Sequence, residues 1–277
     1  MSTDMVDPLE LDPMVDASPE PAESAKSSAS KALAILEAIS KGRGNSFGVT
    51  EVAADIGVSK STAHRLLKTL EEHGFVGRNG SRYRVGSSFF ELSEAARWSE
   101  FGELRDVASR PLNWLFERSD AVAVHLATLS GRDVLYLDKV TRPAGTRLPS
   151  RIGARFPATC TALGKAILAY SPRATVMDVI GHPLTRVTPR SISLRNQFVE
   201  QLDKAHAVGY AIEREEACHG TICVAAPVLR DGEAIAAVSL SVPTAVVARA
   251  ASDAGLDVLG RLTVDAAARV TRLLPTA

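Results

Sequence analysis

Apolar positions recur at helical spacing from residue 30 onward and change to alternation near residue 120. Ser30 stands as an N-cap before KALAILEAISKG, where Leu33, Leu36 and Ile39, with Ala32 and Ile35 alongside, predict one apolar helical face ended by Gly42. After the loop GRGNSFG, Thr50 caps a short helix with Val52, Ala53 and Ile56 inward. Gly57 allows a tight turn, and Ser59 caps a second helix whose Ala63, Leu66, Leu67 and Leu70 form a buried stripe ended by Gly74. Asn79-Gly80 then separates two short runs rich in β-formers, which predicts a hairpin with positive φ at both turn residues. Three helices followed by a hairpin make a winged helix-turn-helix over residues 30–86.

Residues 87–119 read as helical, with Phe89, Phe90, Leu92, Trp98 and Phe101 unusually apolar for a connector and Pro111 predicting a kink or break. A linker helix over 87–103 whose aromatics form a dimer interface is the favoured reading, with intramolecular core the alternative. From Asp120 the texture becomes strands: AVAVHLATL, a Ser-Gly-Arg-Asp turn, then VLYLDKV. Helical patterns occur at 159–170, 172–180 and 194–207, two strands flank Asp231-Gly232, and a last helix runs to about Leu274. The fold class is therefore α+β, with a GAF-like α/β sensor domain over 104–277.

Charge adds a division that the zero formal net charge conceals. Residues 1–30 hold seven acids and one lysine, whereas residues 31–84 hold nine Lys/Arg against five Asp/Glu. The acidic, Pro-rich 1–29 has the composition of a disordered tail, with shielding of the basic domain as a lesser reading. No stretch approaches the roughly 20 apolar residues of a membrane span, and the N-terminus lacks the basic and apolar regions of a signal peptide. Three cysteines give no disulfide framework. A cytoplasmic protein without membrane partners is expected.

The helix Lys60–Lys68 has the two unlike faces that reading a major groove requires. Opposite its leucine stripe lie Ser61, Thr62 and Arg65, suited to base edges, while Lys60 and Lys68 suit phosphate; His64 completes the expected contact set. In the wing, Arg78 and Arg82 are the expected backbone or minor-groove contacts, with Arg84 beside them. An ordinary bundle with a solvated basic face is the bland alternative. Double-stranded operator DNA is the partner these residues imply.

Three further stretches carry a family resemblance: GARFPATCTALGKAILA (153–169), GYAIEREEACHGTICVAAPVL (209–229) and AAVSLSVP (236–243). With the winged helix, they resemble the IclR family of bacterial transcription regulators over nearly all of 30–275. The resemblance implies homodimers or dimers of dimers and an effector pocket formed by Ala162, Leu163, Gly164, Glu213, Cys223, Ser239 and Ser241. Backbone N–H groups at the start of the 159–170 helix suit an anion, and hydroxyls at i and i+2 on one strand share a face. A small organic acid, aromatic carboxylates included, is the expected effector, and no cofactor is expected.

Other chemistry reads weakly. Cys218-His219 with Cys223 lacks a fourth ligand and zinc spacing, Gly164-Lys165-Ala166 is not a P-loop, and Glu215-Glu216 read as solvated turn residues. His125 and His206 read as structural or surface residues. An enzyme acting on small carboxylates through Cys223 and Glu213, with an appended DNA-binding head, is the alternative function. A constitutive DNA-binding scaffold is a third. The expected mechanism is a population shift in which effector binding changes the spacing of the DNA heads.

Overall fold

The computed structural model describes residues 27–41, 46–96, 99–142, 148–249 and 253–275. The first 26 residues of the expected tail, most of the Gly-rich loop and the linker's Trp98 lie outside the described residues. The chain divides into two compact units, one ending at Glu94 and the other starting at Ala95.

The first unit contains α1 (Ser28–Lys41), α2 (Val49–Asp55), α3 (Lys60–Glu72), the hairpin β1 (Val76–Asn79) and β2 (Arg82–Val85), and all but the last two residues of α4 (Ser88–Ala96). The cap of α1 is Ser27, whose hydroxyl accepts the Ser30 N–H at 3.1 Å, so the helix begins ahead of the expected Ser30. Its inward face is Ala32, Ile35, Leu36 and Ile39, and Leu33 points to solvent. Ile35 packs with Val52, Ala53, Ala63, Leu66, Leu67, Leu70, Val76 and Tyr83. The α2–α3 turn rests on Gly57 at φ +67°, and Ser59 caps α3 by accepting the Thr62 N–H at 3.2 Å. In the wing Asn79 pairs with Arg82, so the turn residues are Gly80 and Ser81, and only Gly80 has positive φ. That is the II′ pattern, with glycine first, where the sequence suggested Asn-Gly in a I′ turn.

The second unit opens with α5 (Glu100–Glu117), followed by β3 (Ala123–Ser130), β4 (Asp133–Thr141) and β5 (Arg155–Pro157). A 3₁₀ turn over 158–160 leads into α6 (Ala162–Leu168), then α7 (Arg173–Ile180), α8 (Arg195–Val208) and β6 (Ala211–Arg214). The long hairpin β7 (Thr221–Arg230) and β8 (Glu233–Pro243), the short α9 (Thr244–Arg249) and α10 (Asp253–Leu273) complete it. Pro111 lies inside α5 without ending it; the boundary between the two linker helices falls instead before Ser99, the N-cap of α5.

The six strands form one antiparallel sheet in the order β5-β4-β3-β8-β7-β6. Asp231 and Gly232 both have positive φ and close the central hairpin, as the Asp-Gly pair predicts. Alternation along the strands then sorts the side chains. Val124, Leu126, Val224, Val238, Leu240 and Val242 face α5 and α10, packing on Leu104, Leu112, Leu115, Leu256 and Val270. Each such burial stabilises the fold by about 1.5–3 kcal/mol. The opposite face is covered by α6 and α8 through Leu163, Ile167, Phe198 and Leu202, but its strand residues there are mostly alanines: Ala127, Ala211, Ala225 and Ala237. Small side chains on this face let α6 and α8 pack directly against the sheet.

Candidate functional site

The exposed face of α3 carries Lys60, Ser61, His64, Arg65 and Lys68, with Thr62 half-buried. The leucine stripe of the same helix is buried in the domain core, so packing turns these polar groups outward together. Lys68 makes a 3.9 Å contact with Glu72, too long and too exposed to hold its ammonium away from a phosphate. Ser61 and Thr62 both lie within 3.0 Å of the Ser59 hydroxyl, which orders the start of the helix.

The wing arginines have partners within the head. The Arg82 guanidinium donates to Glu51 Oε1 and Oε2 at 2.9 and 3.0 Å, and to the Ser46 carbonyl and hydroxyl at 2.9 and 3.0 Å. The Glu51 carboxyl is accordingly held below its ordinary range, with the Arg82 hydrogen bond the main cause. Arg82 therefore latches the wing to the start of α2 through four of its five N–H donors, with its side chain still 44% exposed. Arg78 bends back to donate to the Gly80 carbonyl at 3.1 Å, with its guanidinium 5.9 Å from the Tyr83 ring centroid.

In the second unit, a cavity of about 40 Å³ lies between the sheet and the start of α6. Ala162, Leu163, Glu213, Cys223, Ser239 and Ser241 all line it. Sheet register explains the convergence. Glu213 pairs with Cys223 and Cys223 with Ser241, giving one row across β6, β7 and β8; the adjacent row holds Ala225, Ser239 and His125. Cys223 Sγ lies 3.2 Å from Ser241 Oγ, and Ser239 Oγ lies 3.5 Å from His125 Nδ1.

Gly164 falls outside this wall. Its N–H donates to the capping hydroxyl of Thr161 at 2.9 Å, and a Cβ there would stand 2.1 Å from the Ala158 carbonyl oxygen. The glycine is required by close backbone packing, and its amide is already used.

The cavity also recruits residues that the sequence reading passed over: His125, Tyr136, Ser150, Phe156, Thr161 and Thr221. His125 Nε2 lies 2.8 Å from Ser150 Oγ, while Lys139 donates to the Ser150 carbonyl at 2.7 Å. Burial, with the Lys139 charge adding to it, pushes the His125 pKa down to about 3, so the imidazole is neutral at ordinary pH. Burial likewise raises the Tyr136 phenol and carries the Cys223 thiol well above its usual value. Pairing of β3 with β8 is what places His125 beside Ser239, a relationship invisible until register is known.

Glu213 is the acid of the cavity. Its Oε1 accepts the backbone N–H groups of Glu216 and of Ala217, the latter at 3.0 Å. Burial outweighs those bonds and raises its pKa from 4.5 to about 7. Glu216, expected in solvent, is instead buried against Lys165 of α6, with Nζ to Oε1 at 2.5 Å. Thr188 and Ser191 hydroxyls donate to the carbonyls of Glu215 and Glu216, both at 2.7 Å, and Glu215 itself adopts φ 61°. The turn after β6 is thus fixed from three sides.

A winged helix with an outward basic recognition face, and a separate sheet domain enclosing a polar cavity, define a two-domain DNA-binding regulator. The family models agree: the IclR helix-turn-helix domain matches residues 28–80, and the bacterial transcriptional regulator IclR C-terminal domain matches residues 100–269. The chain belongs to the IclR family. It is 33% identical over 223 residues to the HTH-type transcriptional regulator XynR of Escherichia coli K12, spanning 78% of this chain and 86% of that protein. It is 32% identical over 223 residues to the regulator KdgR of Dickeya chrysanthemi, spanning 79% and 71%. Among solved structures, Thermotoga maritima IclR superposes with a TM-score of 0.71 at 29% identity, over 88% of this chain and 97% of that one. An IclR homologue of Microbacterium hydrocarbonoxydans, crystallised with 4-hydroxybenzoate, shares the fold with a TM-score of 0.79 at 23% identity, over 90% and 99%.

Proposed function

We propose that this transcription regulator is controlled by a small organic acid held in the cavity between α6 and the sheet. The observation that carries the reading is the convergence of Ser239, Ser241, Cys223 and Glu213 from three strands on one partly open cavity. Among the described residues that line it, none is a lysine or arginine. A carboxylate effector would therefore be held by hydroxyl donors and by the proton that Glu213 shares near neutral pH. The aromatic walls Tyr136 and Phe156 suit a flat ring, and a family relative crystallised with 4-hydroxybenzoate makes that compound the first to try.

The α3 face, led by Arg65 with Lys60, Ser61, Thr62, His64 and Lys68, reads an operator half-site, and Arg78 lies on the wing beside it. Two heads on a pseudo-palindromic operator require a homodimer or a dimer of dimers, in the cytoplasm where its DNA lies. We do not assign turnover to the cavity. Its cysteine is held as a thiol against Ser241, and its histidine is bonded to Ser150 and Ser239 and not to a sulfur.

The experiment is a thermal-shift screen of aliphatic and aromatic carboxylates, followed by operator titration with any stabilising compound. Ser239→Ala with Ser241→Ala removes two hydrogen bonds to a charged group, each worth about 1.5–3 kcal/mol. Effector affinity should fall by orders of magnitude while operator binding without effector persists. Unchanged affinity in the double variant removes the pocket assignment.

A further inference from the structure

Two features of this chain lie outside the residues assigned to operator reading and to the effector cavity. One is the arginine-lined groove between α5 and α10; the other is the acidic segment 1–26. The groove, about 340 Å³, is lined by Arg110, Pro111, Trp114, Arg269, Arg272 and Leu273. Arg110 and Trp114 on α5 and Arg118 at its C-cap follow one another at four-residue intervals along one side of the helix. The Arg269 guanidinium lies 4.1 Å from the Trp114 ring centroid and that of Arg118 lies 4.9 Å from it. Among the described residues, Arg269 has a carboxylate contact, with Asp265 at 3.2 Å. None of the six lining residues is acidic, so the groove combines an aromatic floor with a surplus of delocalised positive charge.

Residues 1–26 supply the complementary chemistry. They hold seven acids against the single Lys26, and the acids alternate with Met5, Val6, Leu9, Leu11, Met14 and Val15. A purely electrostatic partner would need only the charge. Interleaved aliphatic side chains call for an apolar surface as well, which Pro111, Trp114 and Leu273 provide and the polar face of α3 does not.

We propose that the groove between α5 and α10 is a docking site for the acidic segment 1–26 of this chain. Arg110 and Arg272 meet its carboxylates, and Trp114 and Leu273 meet its aliphatic residues.

The chain contains two tryptophans, Trp98 and Trp114, so full-length protein labelled with 5-fluorotryptophan gives a ¹⁹F signal for the groove once Trp98→Phe has assigned it. Changing the seven tail acids to Asn or Gln in the full chain should move the Trp114 resonance. Arg110→Glu with Arg272→Glu, or salt at 1 M where the Debye length is about 3 Å, should move it to the same place. A synthetic peptide of residues 1–26 should restore the resonance of the neutralised chain. Its affinity should drop on the order of tenfold or more when the two arginines are reversed. A Trp114 resonance indifferent to the tail acids overturns the proposal. So does a neutralised tail that leaves Trp114 unmoved while strengthening binding to any DNA, since the segment then lies on the winged helix. A shift that follows protein concentration and ignores the tail gives the groove to a second copy, and also overturns it.

Discussion

Lys165 and Glu216 form an ion pair at 2.5 Å with side chains only 1% and 8% exposed, and it joins α6 to the turn that carries Glu213. The same Glu216 donates its backbone N–H to Glu213 Oε1, so a single residue ties a helix to the cavity wall. Charges this deeply buried are tolerable only together. Lys165→Met should leave Glu216 without its counter-ion and destabilise the second unit by about 3–5 kcal/mol in urea titration. Lys165→Met with Glu216→Leu should recover much of that loss. If the double variant is no more stable than Lys165→Met, the pair is not the reason the single change is costly.

The arginines of the DNA head divide into two roles. Arg65 is exposed on the recognition face, whereas Arg82 spends four of its donors on Glu51 and Ser46. Arg65→Ala should cost on the order of 1–3 kcal/mol of operator affinity and relax one base position. Lys68→Ala should weaken all sequences alike and flatten the salt dependence. Arg82→Ala should instead lower the thermal stability of the head, and weaken binding without altering base preference. Affinity measured on a set of single-base operator variants separates these outcomes. Altered preference in Arg82→Ala would return that residue to the DNA surface.

Phe90 is 70% and Leu92 53% exposed on α4, and Phe101 is 43% exposed on α5. Phe89, in contrast, packs edge-on against Phe75 at 5.6 Å within the first unit. Large apolar side chains left open on adjacent connector helices fit an interface between copies. Phe90→Ser with Leu92→Ser should therefore shift the protein toward monomer in light scattering. Operator affinity should fall with it, because two half-sites are no longer held by one molecule. An unaltered mass would assign those side chains some other role.

The winged helix was legible because its signals are local: glycine turns, a capped helix and period-3.6 stripes within 60 residues. Even there, the wing turn was placed one residue early, since Asn79 still pairs with Arg82 and only Gly80 needs positive φ. The cavity was legible in its β7 and β8 residues, where alternation alone puts Ser239 and Ser241 on one face. His125 was missed because its role depends on β3 lying beside β8, a long-range pairing that no local pattern encodes. Glu216 was misread as solvated because a turn in sequence is ordinarily exposed; here Lys165, Thr188 and Ser191 close over it. Strands of three and four residues, β5 and β6, are too short to show alternation.

Glu213 gives the cavity a pH dependence whose direction follows from burial. Its pKa, raised from 4.5 to about 7, means that the folded protein favours the neutral acid. Stability from keeping it neutral is fully present below pH 4.5, is lost as pH rises through 7, and changes little beyond. Urea stability of the second unit should accordingly fall between pH 5 and pH 8, and Glu213→Gln, which stays neutral, should flatten that part of the profile. Effector binding follows the same proton. A carboxylate placed beside Glu213 is repelled when both are ionised and accepts a hydrogen bond when Glu213 is protonated, so binding should be tighter at pH 6 than at pH 8. Calorimetry in buffers of different ionisation enthalpy should show proton uptake near pH 7.5, and Glu213→Gln should abolish it while leaving affinity nearly independent of pH. Binding without proton uptake in the unmodified protein would mean that the effector presents Glu213 with a hydroxyl or an amine in place of a carboxylate.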